Sequence, residues 1–362
     1  MRLDELLLDT FSGEWGTEEG ESLTPVLRTS NFNEDGSLDY STPAMRCIPE
    51  RKVAKKRMVR GDIILEKSGG TPKRPVGIMA FYDSDELALC SNFNQVLRFD
   101  EDRILPRFAF HQLRWLKDRN AFDRFTRKTT GLQNLQMKKL IELKLHVPQI
   151  EAQTMIADTL DKIVDSQRNL QREIIDLDSL VKSRFVEMFG DPCDPGSSSA
   201  KNRIDSFCEL RIGPFGSALH KEDYITGGHP LVNPSHIIGG AIRPDENLTI
   251  DDGKYESLAS YHLLPGDVVL GRRGEIGRCA VVKTDGLICG TGSMIIRPGQ
   301  KVRSDYLQRV VSFPSFSHAL EANAVGVTMK NLNAKIVGSA EVFLPDLKDQ
   351  DAFITLVSQI DK

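Results

Sequence analysis

Two basic, glycine-containing segments carry the residue types in this sequence that are best suited to chemistry. One spans Glu66-Lys67-Ser68-Gly69-Gly70-Thr71-Pro72-Lys73-Arg74, and the other is Gly271-Arg272-Arg273-Gly274. Glycine lets a backbone come close to phosphate, and arginine presents a planar fork that suits guanine O6 and N7 or a phosphate. A solvated hairpin tip would explain either segment alone, but two at equivalent positions favour contact with nucleic acid. The candidate contacts are Lys67, Ser68, Lys73, Arg74, Arg272 and Arg273.

Two further groups of polar residues are candidates for DNA contacts. Arg28, Ser30 and Asn31 follow a short strand, and Asn233, Ser235 and His236 occupy the corresponding positions later in the chain. Ordinary turn capping is the alternative explanation for this group. Lys330 and Asn331, with counterparts at 133–134, precede a helical stretch. Their donors could hold phosphate there or only cap the helix.

Other kinds of chemistry lack their motifs. The sequence contains no phosphate-binding loop of the G-x-x-x-x-G-K-[ST] type, and no glycine-rich loop with the Asn-Pro-Pro motif expected of a DNA amino-methyltransferase. The seven histidines are scattered without metal-ligand spacing, and the six cysteines include no C-x-x-C pair. We therefore expect no catalytic residues, no metal and no cofactor, and we expect the cysteines to be reduced and buried.

Composition indicates two globular domains without a membrane segment. The chain has 362 residues, of which 40% are hydrophobic and 27% charged, and the formal net charge is −4. That average hides a basic stretch, since residues 41–80 carry ten bases and three acids. The acidic start and the lack of long apolar runs predict a soluble, cytoplasmic protein with no membrane partner.

The sequence contains two copies of one unit. Five segments recur in order: Arg2 to Leu6 as Arg203 to Phe207 (offset 201), Pro25 to Ser30 as Pro230 to Ser235 (205), Gly61 to Leu65 as Gly266 to Leu270 (205), Asn134 to Pro148 as Asn331 to Pro345 (197), and Glu151 to Lys162 as Asp351 to Lys362 (200). Offsets that drift by only eight residues indicate duplication. Short β-branched runs alternate with helical stretches such as Arg107 to Arg127, so we predict an α+β fold.

A long helix is predicted between the copies. Residues recur at alternating steps of three and four, with Gln167 and Arg184 as the polar members and the apolar members Ile156, Leu160, Ile163, Leu170, Ile174, Leu177, Val181 and Met188. Because residues 151–189 contain no proline or glycine, the helix could extend for about 58 Å as one side of a coiled coil. Such a seam needs a covering helix from this chain or from a partner. A linker is predicted at Pro195 to Ser199.

These features resemble the specificity (S) subunit of type I restriction-modification systems. The resemblance covers nearly the whole chain. It rests on the duplicated Gly-Asp strand, on the segments that end at Pro148 and Pro345, and most specifically on the helix from Ile156 to Pro192. It implies two tandem, pseudo-symmetric target-recognition domains joined by a coiled-coil helix, which give the boundaries 1–148, 149–190, 191–345 and 346–362. The last segment would begin a second conserved helix that the family normally completes and that is short here.

The resemblance also implies partners. Each target-recognition domain would read half of a bipartite site in double-stranded DNA. The conserved helices, here with Ile156, Leu160, Ile163, Leu170, Ile174, Leu177 and Val181, would bind two methyltransferase subunits that modify adenine N6. Restriction subunits would join to translocate and cut the DNA. Because the second helix is short, we expect the central seam to be partly exposed or covered by another chain.

Two other functions stay open at this point. A coiled-coil scaffold whose globular arms bind proteins would show no salt-dependent affinity for DNA. A reader fused to its own enzyme, as in single-chain restriction-modification proteins, would transfer methyl groups unaided, although the missing cofactor loop disfavours it.

Overall fold

We describe a computed structural model of the chain, which covers all residues except 21, 129–130, 194–200, 216–217, 275, 325–330 and 361–362. It divides into two compact units, Met1–Gln171 and Arg172–Lys362. Helices and sheets mix in each unit, which confirms the predicted α+β class. The predicted linker lies outside the described residues. None of the helices in the described part is both long and apolar enough to cross a membrane.

The first unit is built mainly on a four-stranded antiparallel sheet, and the helix at residues 106–118 packs against that sheet. Its strands are β1 (Leu7–Ser12), β2 (Leu23–Leu27), β3 (Ala44–Cys47), β4 (Ile63–Glu66), β5 (Ser68–Gly70), β6 (Met79–Phe81), β7 (Leu89–Cys90), β8 (Asn94–Phe99), β9 (Thr126–Lys128) and β10 (Gln133–Leu135). Its helices are α1 (Leu3–Leu6), α2 (Glu50–Lys56), α3 (Pro106–Asp118), α4 (Met137–Leu140) and the start of α5 (Ile150–Phe189), with 3-10 turns at Thr29–Asn31 and Asp123–Phe125. The sheets have the orders β1-β8-β4-β6, β3-β2-β7 and β5-β10-β9.

The second unit repeats this plan. Its strands are β11 (Lys201–Arg203), β12 (Cys208–Ile212), β13 (His229–Val232), β14 (Ile237–Ile238), β15 (Ala241–Ile242), β16 (Thr249–Ile250), β17 (His262–Leu263), β18 (Val268–Gly271), β19 (Cys279–Val281), β20 (Leu287–Cys289), β21 (Ser293–Pro298) and β22 (Glu341–Phe343). Its helices are α6 (Asp252–Ser257), α7 (Ser304–Ser312), α8 (Pro314–Asn323), α9 (Ala334–Gly338) and α10 (Leu347–Ile360). The 3-10 turns are Ile204–Ser206, Lys221–Asp223, Pro234–His236 and Ala259–Tyr261.

Equivalent sheets carry the duplication. The order β12-β21-β18-β19 matches β1-β8-β4-β6, and a parallel pair recurs as β2 with β7 and as β13 with β20. The remaining second-unit sheets are β16-β13-β20-β17, β11-β22 and β14-β15. Strands β4 and β18 are buried along their whole length at the centre of the matching sheets, as their apolar runs predict.

The recurring Gly-Asp motif is an ion-paired turn before the central strand. Gly61 and Gly266 adopt φ values of +95° and +94°, which disfavour a side chain. The buried Asp62 accepts two hydrogen bonds from the Arg98 guanidinium, at 2.8 and 2.7 Å. Arg297 donates to Asp267 in the same way, at 2.8 and 2.8 Å. The motif therefore recurs because both copies need a glycine in the turn and a buried aspartate that holds an arginine side chain.

A buried glutamine corrects the register of the last sequence match. Gln153 donates to the Pro148 carbonyl at 2.9 Å and accepts the Leu105 amide at 2.8 Å. Gln350 donates to the Pro345 carbonyl at 2.8 Å and accepts the amide of Arg303 at 2.8 Å. The equivalent residues are thus 197 apart, since 350 − 153 = 197, and the predicted offset of 200 is wrong here.

Helix α5 confirms the predicted long helix. It runs through 40 residues and ends before Gly190, whose φ of +75° suits a helix C-terminus. Of the predicted seam, Ile156, Ile163, Leu170, Ile174 and Leu177 are exposed, and Leu160 is half-buried. Val181 instead packs in the second unit's core with Phe185 and Phe189, which the heptad pattern did not include.

The helix predicted from Arg107 to Arg127 ends earlier. Helix α3 stops at Asp118, and Asn120 takes a left-handed φ of +59°. Asparagine tolerates this conformation better than most residues with a side chain. The chain then forms a 3-10 turn and strand β9, so the second half of the predicted helix is wrong.

Candidate nucleic-acid interface

Each basic segment lies beside the polar segment that precedes a helix. In the first unit, Ser68 pairs with Asn134, and the Lys67 carbonyl accepts the Leu135 amide at 2.8 Å. In the second unit, Arg273 pairs with Asn331, and the Arg272 carbonyl accepts the Leu332 amide at 3.0 Å. Two groups of candidates that are far apart in the sequence thus meet in both units. Lys330 lies outside the described residues.

The two adjacent arginines of the second unit have different environments. Arg272 is only 5% exposed, and its guanidinium donates to Asn331 Oδ1 at 2.9 Å and to the Thr291 carbonyl at 3.2 Å. Burial lowers the pKa of Arg272. Arg273 is exposed. Arg272 therefore positions the segment that carries Asn331, and Arg273 is the side chain that solvent and a ligand can reach.

Lys67 stands where Arg272 stands in the second copy, and it is also turned inward. Its ammonium donates to Ser12 Oγ and, at 3.3 Å, to Gln95 Oε1. Burial lowers the pKa of Lys67. Ser68 is half-buried, whereas Lys73 is exposed. Arg74 is exposed too, and its guanidinium donates to Glu66 Oε1 at 3.3 Å. Burial raises the pKa of Glu66.

The third group of candidates forms equivalent 3-10 turns. Asn31 is buried, and its Oδ1 accepts the backbone amide of Arg28 at 2.9 Å, so it caps the turn from within. His236 has the corresponding place, with Nδ1 3.3 Å from the Asn233 amide. Arg28, Ser30 and Ser235 are exposed, and Asn233 is half-buried. In this group the exposed members are the ones that can meet a ligand.

Equivalent clefts of different chemistry adjoin these turns. Ser30 and Arg74 line a cleft of about 590 Å³ together with Arg114 and Lys117 from α3. Ser235 lines the corresponding cleft of about 570 Å³, whose other walls are residues 237–240, 277–279, 308 and 312. The first cleft is rich in charge and the second is largely neutral. The two clefts therefore have similar volumes and different linings.

A turn that our sequence analysis did not single out lies next to these groups. It joins β7 to β8 through Ser91–Asn94 in the first unit and β20 to β21 through Gly290–Ser293 in the second. The Phe93 carbonyl accepts the amide of Lys67 at 2.9 Å, and the Gly292 carbonyl accepts that of Arg272 at 2.9 Å. The recurrence of Cys90 as Cys289, at an offset of 199, was the available signal.

Gly213 makes this turn sensitive to substitution. A Cβ atom at position 213 would lie 2.0 Å from the Gly290 carbonyl oxygen, and backbone cannot easily move aside. We expect Gly213→Ala to destabilise the protein by about 1–3 kcal/mol. Gly253→Ala serves as the control, because Gly253 lies in helix α6 and the nearest atom to its added Cβ would be a side-chain oxygen at 3.5 Å. We expect this variant to lose no stability. Urea unfolding of both variants measures the difference, and equal midpoints would contradict the close packing.

Comparison with known proteins gives the class of this fold. Residues 24–177 match the family model described as the type I restriction modification DNA specificity domain. Over 347 residues the chain is 21% identical to a protein of Methanocaldococcus jannaschii, named as a candidate specificity subunit of the type I restriction enzyme MjaX. That match covers 93% of this chain and 80% of the relative.

Solved structures agree in fold. The crystal structure of a type I restriction-modification S subunit from M. genitalium has a TM-score of 0.59 at 16% identity, covering 100% of this chain and 88% of that one. A second structure, concerned with complex assembly and conformational transition of the type I system, has a TM-score of 0.52 at 18% identity, covering 100% and 89%. The chain has the fold of these two solved structures. The chain is thus similar to specificity subunits of type I restriction-modification systems in both sequence and fold.

Proposed function

We propose that this chain reads a bipartite DNA site for the other subunits of a type I restriction-modification complex and does no chemistry itself. The observation that carries the proposal is the repeated cluster of exposed polar residues on two equivalent units. Arg28, Ser30, Lys73 and Arg74 are accessible in the first, and Ser235 and Arg273 in the second. Two such readers suit a site with two halves, and exposed guanidinium groups suit phosphates and guanines.

Helix α5 is the proposed surface for the methyltransferase subunits. Ile163, Leu170, Ile174 and Leu177 expose apolar side chains along it. Exposed apolar residues in a contiguous row are typical of protein interfaces. Two methyltransferase subunits and the restriction subunits are the proposed partners. The relative's name, which refers to a restriction enzyme, and the second structure's subject, which is complex assembly, support this choice.

DNA binding by the chain together with its methyltransferase subunits tests the proposal. We expect affinity to fall steeply with salt, with a slope of about −0.9 for each phosphate neutralised. A residual preference for one bipartite sequence should persist as salt rises. A protein scaffold would show neither property. The purified chain, given S-adenosylmethionine and DNA, should transfer no methyl groups, and methyl transfer by it alone would contradict the proposal.

A further inference from the structure

The turns Ser91–Asn94 and Gly290–Ser293 have the same backbone scaffold. The Leu27 carbonyl accepts the Ser91 amide at 2.9 Å, and the Val232 carbonyl accepts the Gly290 amide at 3.0 Å. Within each turn, the fourth residue donates to the first, at 2.9 Å for Asn94 and 3.0 Å for Ser293. Equivalent hydrogen bonds therefore hold the first and last residues of both turns.

Neighbouring strands and segments complete the scaffold. The bonds from Lys67 to Phe93 and from Arg272 to Gly292 are both 2.9 Å. The Gly13 amide donates to Asn94 at 3.2 Å, and the Gly213 amide donates to Ser293 at 3.0 Å. The four pairs of bonds differ by at most 0.2 Å, as 3.2 − 3.0 = 0.2. A backbone fixed on every side in this way presents its middle residues in one conformation.

The middle residues of the two turns differ completely. Asn92 and Phe93 are exposed, and Phe93 has 55% of its surface accessible. Their counterparts are Thr291 and Gly292, which are both half-buried. More than half of the Phe93 surface is therefore free to contact a ligand. The first unit thus presents an amide and an aromatic ring where the second presents a short hydroxyl side chain and bare backbone.

Each turn lies among the residues already proposed to face DNA. Thr29, in the 3-10 turn between Arg28 and Ser30, donates from Oγ1 to Asn94 Oδ1 at 3.3 Å. The Phe93 carbonyl also accepts the Ser68 amide at 3.2 Å. In the second unit, a Cβ atom at Gly292 would lie 3.0 Å from the Pro234 ring. The turn is therefore next to both the 3-10 turn and the basic segment.

We propose that Asn92 and Phe93 read bases in the half-site bound by the first unit, and that Thr291 takes this place in the second. An asparagine amide can form two hydrogen bonds with N6 and N7 of adenine in the major groove. A phenylalanine ring can contact the thymine methyl group. One scaffold with different tips would let equivalent units read different sequences. The inference rests on the proposed function, since it assigns residues to the same DNA-reading role.

Grafting the second tip onto the first unit tests this assignment. The variant combines Asn92→Thr with Phe93→Gly, and it keeps every backbone hydrogen bond of the turn. The chain, in complex with its methyltransferase subunits, selects from a random DNA library that is then sequenced. We expect one half of the bipartite motif to change while the other half stays. Affinity for the wild-type site should fall about 10- to 100-fold, as loss of a base-reading contact predicts.

The outcomes separate this inference from the proposed function. If the wild-type complex selects no motif, the proposed function itself fails. If the wild-type complex selects a motif and the graft selects the same one, only the tip assignment is overturned. Loss of both halves in the graft also overturns it, because the tip would then support the fold. Trp115→Ala, which removes an aromatic ring of equal 55% exposure on α3, should leave the whole motif unchanged.

Discussion

Replacing Asp267 with alanine is expected to destabilise the second unit by about 3 kcal/mol, because it leaves a partly buried guanidinium without its partner. Asp267 accepts two hydrogen bonds from Arg297 and, at 2.8 Å, the Leu264 amide. That amide would lose its acceptor as well. Hydrogen exchange read by mass spectrometry measures each unit separately, so we expect faster exchange in the central strand β18 and little change in the first unit.

A matched control comes from the surface of the same unit. Glu209 pairs with Arg211 at 2.8 Å, and both side chains are exposed. Glu209→Ala should therefore cost less than about 1 kcal/mol. Asp62→Ala should reproduce the large effect in the first unit, where Asp62 holds Arg98 and accepts the Val59 amide at 2.8 Å. Equal, small effects of all three variants would contradict the role assigned to the Gly-Asp motif.

Replacing Arg272 and Arg273 together with alanine is expected to reduce specific DNA affinity about 100-fold, for different reasons at the two positions. Arg273→Ala alone removes an accessible cation, so the salt slope should fall by about one without a change in stability. Arg272→Ala alone removes the hydrogen bonds to Asn331 and Thr291. Hydrogen exchange should therefore rise around residues 331–332 in that variant only.

Fluorescence anisotropy with DNA that carries the selected motif measures these affinities. Lys221→Ala, which removes an exposed cation from a 3-10 turn of the same unit, serves as the charge-matched control. Full specific binding by the double variant would show that the basic segment of the second unit does not contact DNA.

The duplication and the long helix were predictable from the sequence because both depend on repeated, local signals. The strands after Gly61 and Gly266 form as predicted, since β-branched residues follow a turn that only glycine adopts easily. The uninterrupted helix α5 follows from the lack of proline and glycine over residues 151–189.

Contacts between distant segments could not be predicted in this way. The pairing of Arg98 with Asp62 joins strand β8 to the turn before β4, and sequence spacing does not reveal it. The sequence also does not reveal that Lys67 and Arg272 point inward. From residue type alone, a buried lysine or arginine cannot be distinguished from one that contacts DNA. Phe185 stacks on Tyr306 and Phe189 meets the same ring edge to face. Tyr306 lies more than a hundred residues later, so the heptad pattern could not identify it as their partner.

A map of methylated adenines in the host genome tests directly whether this chain selects the DNA site that is methylated. We expect a bipartite methylated motif that disappears when the gene is deleted and returns when the wild-type gene is restored. Persistence of every methylated motif after deletion, in a strain that expresses the chain before deletion, would contradict it.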